Sequence, residues 1–261
     1  DKLGADFYFS VQTMKDRLGA NVIPIQLPIG SEGDFEGVVD LVEMNAKVWR
    51  GETKLGETYE TIEIPAELQD KANEYRTKML EAVAETDEAL LEKYFGGEEF
   101  TVEEIQTALR QNVKTCSMVP VLMGSGVNVQ GFNVLLQVID KYFPAPDEFE
   151  TVGVDVSNGE RFTAKYNSDA TLTAKVWKTI VDPFLGKYSL MKVCTGTLKP
   201  NSEVYNVNKE TTEKIGKIYV LRGKESIEVP ELKSGDIGAV AKLSVTATGD
   251  TMAVRNAPIM Y

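Results

Sequence analysis

The sequence has no histidine, only two cysteines and only two tryptophans. Without histidine, imidazole acid–base catalysis and most zinc chemistry are impossible within this chain. Cys116 and Cys194 lack CxxC spacing and lie in apolar, strand-like runs, which predicts reduced core thiols rather than a metal site or redox pair. Long hydrophobic runs are missing too: charge or proline interrupts each one well before the roughly 18 residues a membrane helix needs. The opening Asp1-Lys2-Leu3-Gly4 has no signal-peptide core. The expectation is a cytoplasmic chain with no membrane partner. Absent as well are GxxxxGK[ST], GxSxG, HExxH and GxGxxG, so no lysine-bearing phosphate loop, nucleophile elbow or zinc helix is encoded. The pairs Glu98-Glu99 and Glu103-Glu104 do not replace them, because adjacent carboxylates do not face one cleft and read as solvated surface.

What is present is ordinary globular material, 43% hydrophobic and 26% charged over 261 residues, a length suited to two domains. Charge divides the chain. Residues 1–146 carry 25 acidic against 13 basic side chains and residues 147–261 carry 15 of each, so the net −12 lies entirely in front. From Lys175 to Lys224 the balance reverses, to 10 basic against 4 acidic. Overall acidity argues against indiscriminate nucleic-acid binding, whereas this window leaves room for a local cationic footprint.

Periodicity changes near the same place. In front, Phe7, Val11, Met14 and Leu18 repeat at helical spacing before Gly19, and Val22–Ile29 reads as a strand that its two prolines assign to an edge. Short Gly-punctuated strands fill 35–64. A helix follows Pro65 with Leu68, Ala72, Tyr75, Met79 and Val83 on one face, then a short one capped by Thr86, then one opened by the capping-box spacing Thr101-Val102-Glu103-Glu104. Val119–Met123 reads as a buried strand, Gly124-Ser125-Gly126 as the loop at its carboxyl end, and 132–143 as the returning helix. Ligands of open α/β sheets collect at such strand ends, so this loop is the first place to look for a bound group. After Pro144-Ala145-Pro146, residues 147–170 read as a polar connector. From 171 onward short strands over about 188–195, 203–208, 214–221 and 237–243, separated by Gly and Pro turns, predict a small antiparallel barrel.

Several strings resemble translation elongation factor G, and they arrive in that family's order. They are Asp1-Lys2-Leu3-Gly4-Ala5-Asp6-Phe7, Arg17-Leu18-Gly19-Ala20-Asn21, Pro24-Ile25-Gln26-Leu27-Pro28-Ile29-Gly30 and Phe35-Glu36-Gly37-Val38-Val39-Asp40-Leu41. In the back half, Asp182-Pro183-Phe184-Leu185-Gly186-Lys187, Gly196-Thr197-Leu198-Lys199, Gly235-Asp236-Ile237-Gly238-Ala239-Val240 and Thr248-Gly249-Asp250-Thr251 are similar to its second domain. The resemblance implies an α/β remnant of a P-loop GTPase domain over 1–146 with an α+β insert at about 21–115, then an antiparallel β-barrel of translation-factor type over 171–261. It implies that the phosphate loop, both switches and a catalytic histidine lie upstream and three further domains downstream, so that GTP and Mg²⁺ belong to the intact protein and this stretch alone is inactive.

By the same resemblance Asp1 falls on the last residue of the Asn-Lys-x-Asp guanine motif, and Ser125 and Gly126 on the last guanine loop, with Gly126 where alanine is more usual. The implied partner of the monomeric parent is the ribosome. The stalk protein would dock on the acidic insert helices 67–84 and 102–114, and small-subunit RNA would contact the barrel through Lys187, Lys192, Arg222 and Lys224. The family role would be translocation. A ribosome-protection or release-factor relative, and a catalytically silent RNA- or protein-binding module, remain as alternatives.

Overall fold

Asp6 starts the first helix by accepting the Phe9 N–H at 2.9 Å, and Gly19 ends it in the left-handed region, its N–H on the Lys15 carbonyl. In the computed structural model, which describes residues 1–50, 58–182 and 186–261, this helix, α1 (Phe7–Leu18), opens the first of two compact units, Asp1–Pro144 and Ala145–Tyr261.

The run 22–29 is two strands rather than one, β1 (Val22–Pro24) and β2 (Gln26–Ile29). Ile25 is the break: its N–H donates to Val121 and its carbonyl accepts from Leu41, which ties it to two sheets at once. β2 is the edge of a four-stranded antiparallel sheet completed by β3 (Gly37–Asp40), β4 (Asn45–Val48) and β5 (Glu60–Ile62). An edge suits Pro28, which has no N–H to give. Residues 51–57, within the stretch expected to hold short strands, lie outside the described residues.

Three helices follow. α2 (Ala66–Ala84) has Pro65 as its N-cap and buries Ala72, Met79 and Val83, three positions of the expected face. α3 (Glu88–Phe95) is capped by Asp87 and not by Thr86, whose hydroxyl instead donates to the Val83 carbonyl. α4 (Val102–Lys114) carries the capping box of Thr101 and Glu104. Together with Leu27 and Leu41, the side chains Met79, Ile105 and Leu109 form the fully buried centre of this unit.

Cys116 departs from the sequence reading. It follows α4 at a positive φ of 57° and its thiol is exposed, because the chain is turning there rather than running as a strand. β6 (Val119–Val121) pairs in parallel with β1. Within β6 only Val121 is buried and Val119 is 42% exposed, so the strand is not the buried one its apolar sequence suggested. α5 (Phe132–Tyr142) returns from the loop after it.

The second unit includes the whole stretch read as a connector, which holds the hairpin β7 (Thr151–Asp155) and β8 (Arg161–Ala164). Then come β9 (Thr173–Asp182), β10 (Gly186–Thr195), β11 (Thr197–Leu198), β12 (Glu203–Asn206), β13 (Thr211–Lys214), β14 (Ile218–Arg222), β15 (Glu225–Val229), β16 (Leu232–Lys233), β17 (Ile237–Ala241), β18 (Thr251–Ala253) and β19 (Ile259–Met260). Eight of them form one antiparallel sheet in the order β13-β12-β18-β9-β10-β17-β14-β15. Its inner face is Ala174, Val176, Met191, Val193, Val204, Ile218, Val240 and Met252.

The expected strand over 214–221 divides at Ile215, which is buried and donates its N–H to the Ser202 carbonyl. β15 had no sequence signal, because all but its last residue are exposed and no apolar alternation results. Pro183, Phe184 and Leu185, part of one family-like string and its turn, lie outside the described residues. No helix among the described residues is long and apolar enough to cross a membrane.

Glu104 supplies a test of the insert. Its carboxylate accepts from the Lys93 ammonium at 2.9 Å through both oxygens and from the Thr101 N–H at 2.7 Å, the lysine being the larger cause of a pKa held down to about 2. A carboxylate depressed on folding stabilises the fold above its ordinary value of 4.5 and loses that contribution as pH falls toward about 2. We expect a Glu104 carboxyl titration by NMR with its midpoint near 2, moving back toward the ordinary range in Lys93→Ala. A normal midpoint in the unmodified chain would show that the α3–α4 clamp does not form.

Candidate nucleotide loop and cationic barrel face

The loop between β6 and α5 is sealed on itself. Ser125 is fully buried; its N–H donates to the Gln130 carbonyl at 3.0 Å and its hydroxyl accepts from the Asn128 N–H at 3.0 Å. Gly124 is required by crowding, since a Cβ there would stand 2.5 Å from the Gln130 carbonyl oxygen. Gly131 enters α5 at φ +87° against the Met123 carbonyl. Gly126 differs: it is exposed, with open space where a side chain would stand. Of the two loop residues singled out by sequence, Ser125 closes the loop and Gly126 is the exposed one.

Asp1 and Gly124 line a common cavity of about 780 Å³, walled by Phe7, Tyr8, Val11 and Met14 of α1 and by Val121 to Met123. Gly126 lines a separate cavity of about 200 Å³ with Gln130, Phe132 and Leu135, to which Gly124 also contributes. Asp1 and the loop thus share one cavity through Gly124 alone, and Ser125 lines neither cavity. Among the described residues no group of His, Cys, Asp or Glu is arranged to hold a metal.

The four cationic candidates of the barrel have different surroundings. Lys187 is half-buried and donates to the Thr246 carbonyl, which makes its ammonium part of the fold rather than a free phosphate ligand. Lys192 lies on β10 directly across from Lys175 of β9. Arg222 and Lys224 stand at the exposed tip of the β14–β15 hairpin, where Arg222 pairs with Glu225 at 2.7 Å. That surface pair is weak in water and leaves the guanidinium able to exchange partners.

Sequence reasoning missed the polar cluster that Lys187 joins. The buried carboxylate of Glu213 accepts the Val245 N–H at 3.1 Å, the Ser244 N–H and the Thr246 hydroxyl. Asn206 bridges the Thr246 hydroxyl at 3.1 Å and the Asp250 carboxylate at 2.9 Å. These bonds fix the backbone between β17 and β18. Glu213 falls just outside the expected strand at 214–221, and nothing in the residue order separates its carboxylate from a solvated one.

An antiparallel sheet around one apolar core gives the second unit a β-barrel-type architecture, and a family match assigns it to the translation-factor type. Residues 171–255 match the family model described as elongation factor G domain 2. Along 96% of its length the chain is similar to a solved protein of Thermus thermophilus, at 30% sequence identity and a TM-score of 0.72. The chain is elongation-factor-G-like and carries that family's second domain. It spans about a third of the length of the Thermus relative, 34%.

Two substitutions test these geometries. Glu213→Ala removes the acceptor of the Ser244 and Val245 N–H groups and of the buried Thr246 hydroxyl, and we expect a loss of about 1–3 kcal/mol in urea denaturation. Gly124→Ala drives a methyl into a carbonyl and should destabilise the first unit by about 1–3 kcal/mol. Unchanged midpoints would show that neither the cluster nor the loop is packed as described.

Proposed function

We propose that this chain is part of a translational GTPase that drives movement of tRNA and mRNA on the ribosome, acting in the cytoplasm as a monomer. The observation that carries the reading is the domain 2 match over residues 171–255, joined to a likeness that runs through the first unit as well. On this reading 1–146 is the end of a P-loop GTPase domain with its insert, and GTP and Mg²⁺ are bound by the parent protein.

The residues here would contribute recognition, not hydrolysis. A carboxylate at Asp1 can accept both the ring N–H and the exocyclic amine of guanine, a pattern adenine does not offer. The amide of the exposed Gly126 would donate to guanine O6, while Ser125 holds the loop through its bonds to Gln130 and Asn128. Without a nest of N–H groups and a lysine for the triphosphate, these contacts give no useful affinity by themselves. Isothermal calorimetry of the chain with GTP and Mg²⁺ should detect no micromolar binding, and no phosphate release should exceed background. Either signal would require a phosphate site within these residues.

Two surfaces would meet the ribosome. The acidic faces of α2 and α4 would receive the stalk protein, since opposite charge mainly speeds encounter and sets orientation. The barrel would contact small-subunit RNA through the exposed Arg222 and Lys224, with Lys187 acting from within the fold and Lys192 from β10. Cosedimentation of the chain with ribosomes over a salt series should weaken in Arg222→Ala combined with Lys224→Ala, with the log–log slope reduced by about 1–2. Unchanged affinity and slope would remove the hairpin from the interface.

A further inference from the structure

The register of β9 against β10 contains a β-bulge. Val176 is opposite Met191 and Lys178 is opposite Leu190, which leaves Trp177 as the extra residue. Strict alternation from the inward Ala174 and Val176 would carry Lys178 into the core. The bulge turns it back out, so that Trp177 and Lys178 emerge side by side on the outer face. Trp177 is 46% exposed.

On the same face Lys175 stands directly across from Lys192, an arrangement of like charges that opposes folding. Neighbouring carboxylates do not relieve it. Asp250, whose carbonyl accepts the Val176 N–H, turns its carboxylate inward to Asn206 and the Ala247 N–H at 2.9 Å each. Asp236, whose carbonyl accepts the Val193 N–H, gives its carboxylate to the Lys233 N–H at 2.8 Å. Among the described residues no ion pair is formed by Lys175, Lys178 or Lys192.

We propose that this face of β9 and β10 is a binding site for single-stranded RNA, in which Trp177 stacks on a base and Lys175, Lys178 and Lys192 contact the flanking phosphates. Three unneutralised cations call for a polyanion, and an indole held in water beside them calls for one that carries flat apolar rings. A single strand offers both, whereas a duplex keeps its base faces stacked inside. The proposal deepens the ribosomal reading, which supplies only the source of the RNA, and it moves the centre of the cationic surface from the hairpin tip to the bulge.

The test titrates a twelve-nucleotide uridine single strand, a twelve-base-pair RNA duplex and inorganic polyphosphate into the full chain while following tryptophan emission. Trp49 is only 4% exposed, so quenching on binding reports Trp177. The single strand is expected to quench and to bind with a log–log salt slope of about −2, falling to about −0.7 in Lys175→Ala combined with Lys192→Ala. Trp177→Ala should weaken it about tenfold. Circular dichroism and the urea midpoint establish that each variant is folded; a variant that fails is replaced by Trp177→Gln or Lys192→Gln.

No binding of the single strand, binding without quenching, or duplex and polyphosphate binding as tightly as the single strand would each overturn the site. Oligonucleotide binding with these signatures in a chain that does not sediment with ribosomes would keep the site and remove the ribosomal reading. Ribosome association without oligonucleotide binding would do the reverse.

Discussion

Strands β9 and β10, ten residues each, pair at nine positions, and the rest of the large sheet takes its register from that ladder: β18 aligns on β9 at Thr251–Lys175, and β17 aligns on β10 at Ile237–Lys192. A slip of one residue would turn Val176, Met191 and Val193 outward together, because side chains alternate with period two. The bulge at Trp177 is tolerated because it lets one lysine leave the core without disturbing the inward residues on either side. Close backbone approach fixes the end of the ladder. Gly196, at φ +73°, leaves no room for a Cβ against the Ala170 carbonyl, so the turn out of β10 has one geometry.

Polar residues complete what the apolar ladder begins. The backbone after β17 makes no long strand, so its N–H groups need partners elsewhere: Glu213 of β13 accepts those of Ser244 and Val245, Asp250 accepts that of Ala247, and Asn206 of β12 donates to the Asp250 carboxylate and the Thr246 hydroxyl. Lys187 adds its ammonium to the same loop. A buried carboxylate that accepts several N–H donors holds backbone geometry more narrowly than apolar contact does, because each bond has a direction. The outer cationic face and the inner polar cluster are therefore linked through β10, which carries both Lys187 and Lys192.

In the first unit the corresponding constraint is Ile25, where one strand run is divided between a parallel pair and an antiparallel sheet. This division lets the insert form its own core of Leu27, Leu41, Met79, Ile105 and Leu109 while β1 and β6 stay beside the loop that ends in α5. The acidic helices are then free to present charge, since their inward faces already account for their burial. The loop after β6 and the acidic helix faces thus occupy different parts of one unit, which keeps apart the two recognition roles proposed for them.

Residue order by itself determined the helices, whose 3.6-residue spacing and caps are local: Asp6 with Gly19, and Thr101 with Glu104, start or stop the chain by bonds to residues a few positions away. It also determined that apolar alternation would make β9 and β10, and the strings that resemble elongation factor G were legible there. Residue order did not decide the split at Ile25, the exposure of Val119, or the strand β15, because each depends on which partner lies across a sheet, nor did it show the turn that exposes Cys116. Nor did it separate the lysines. Lys187, Lys192, Arg222 and Lys224 are equivalent as charges in a row of letters, and only tertiary structure sends one to a buried carbonyl, one opposite another lysine and two to a hairpin tip. The reason is physical: charge is a property of the residue, whereas its neutralisation depends on distance to groups remote in the chain.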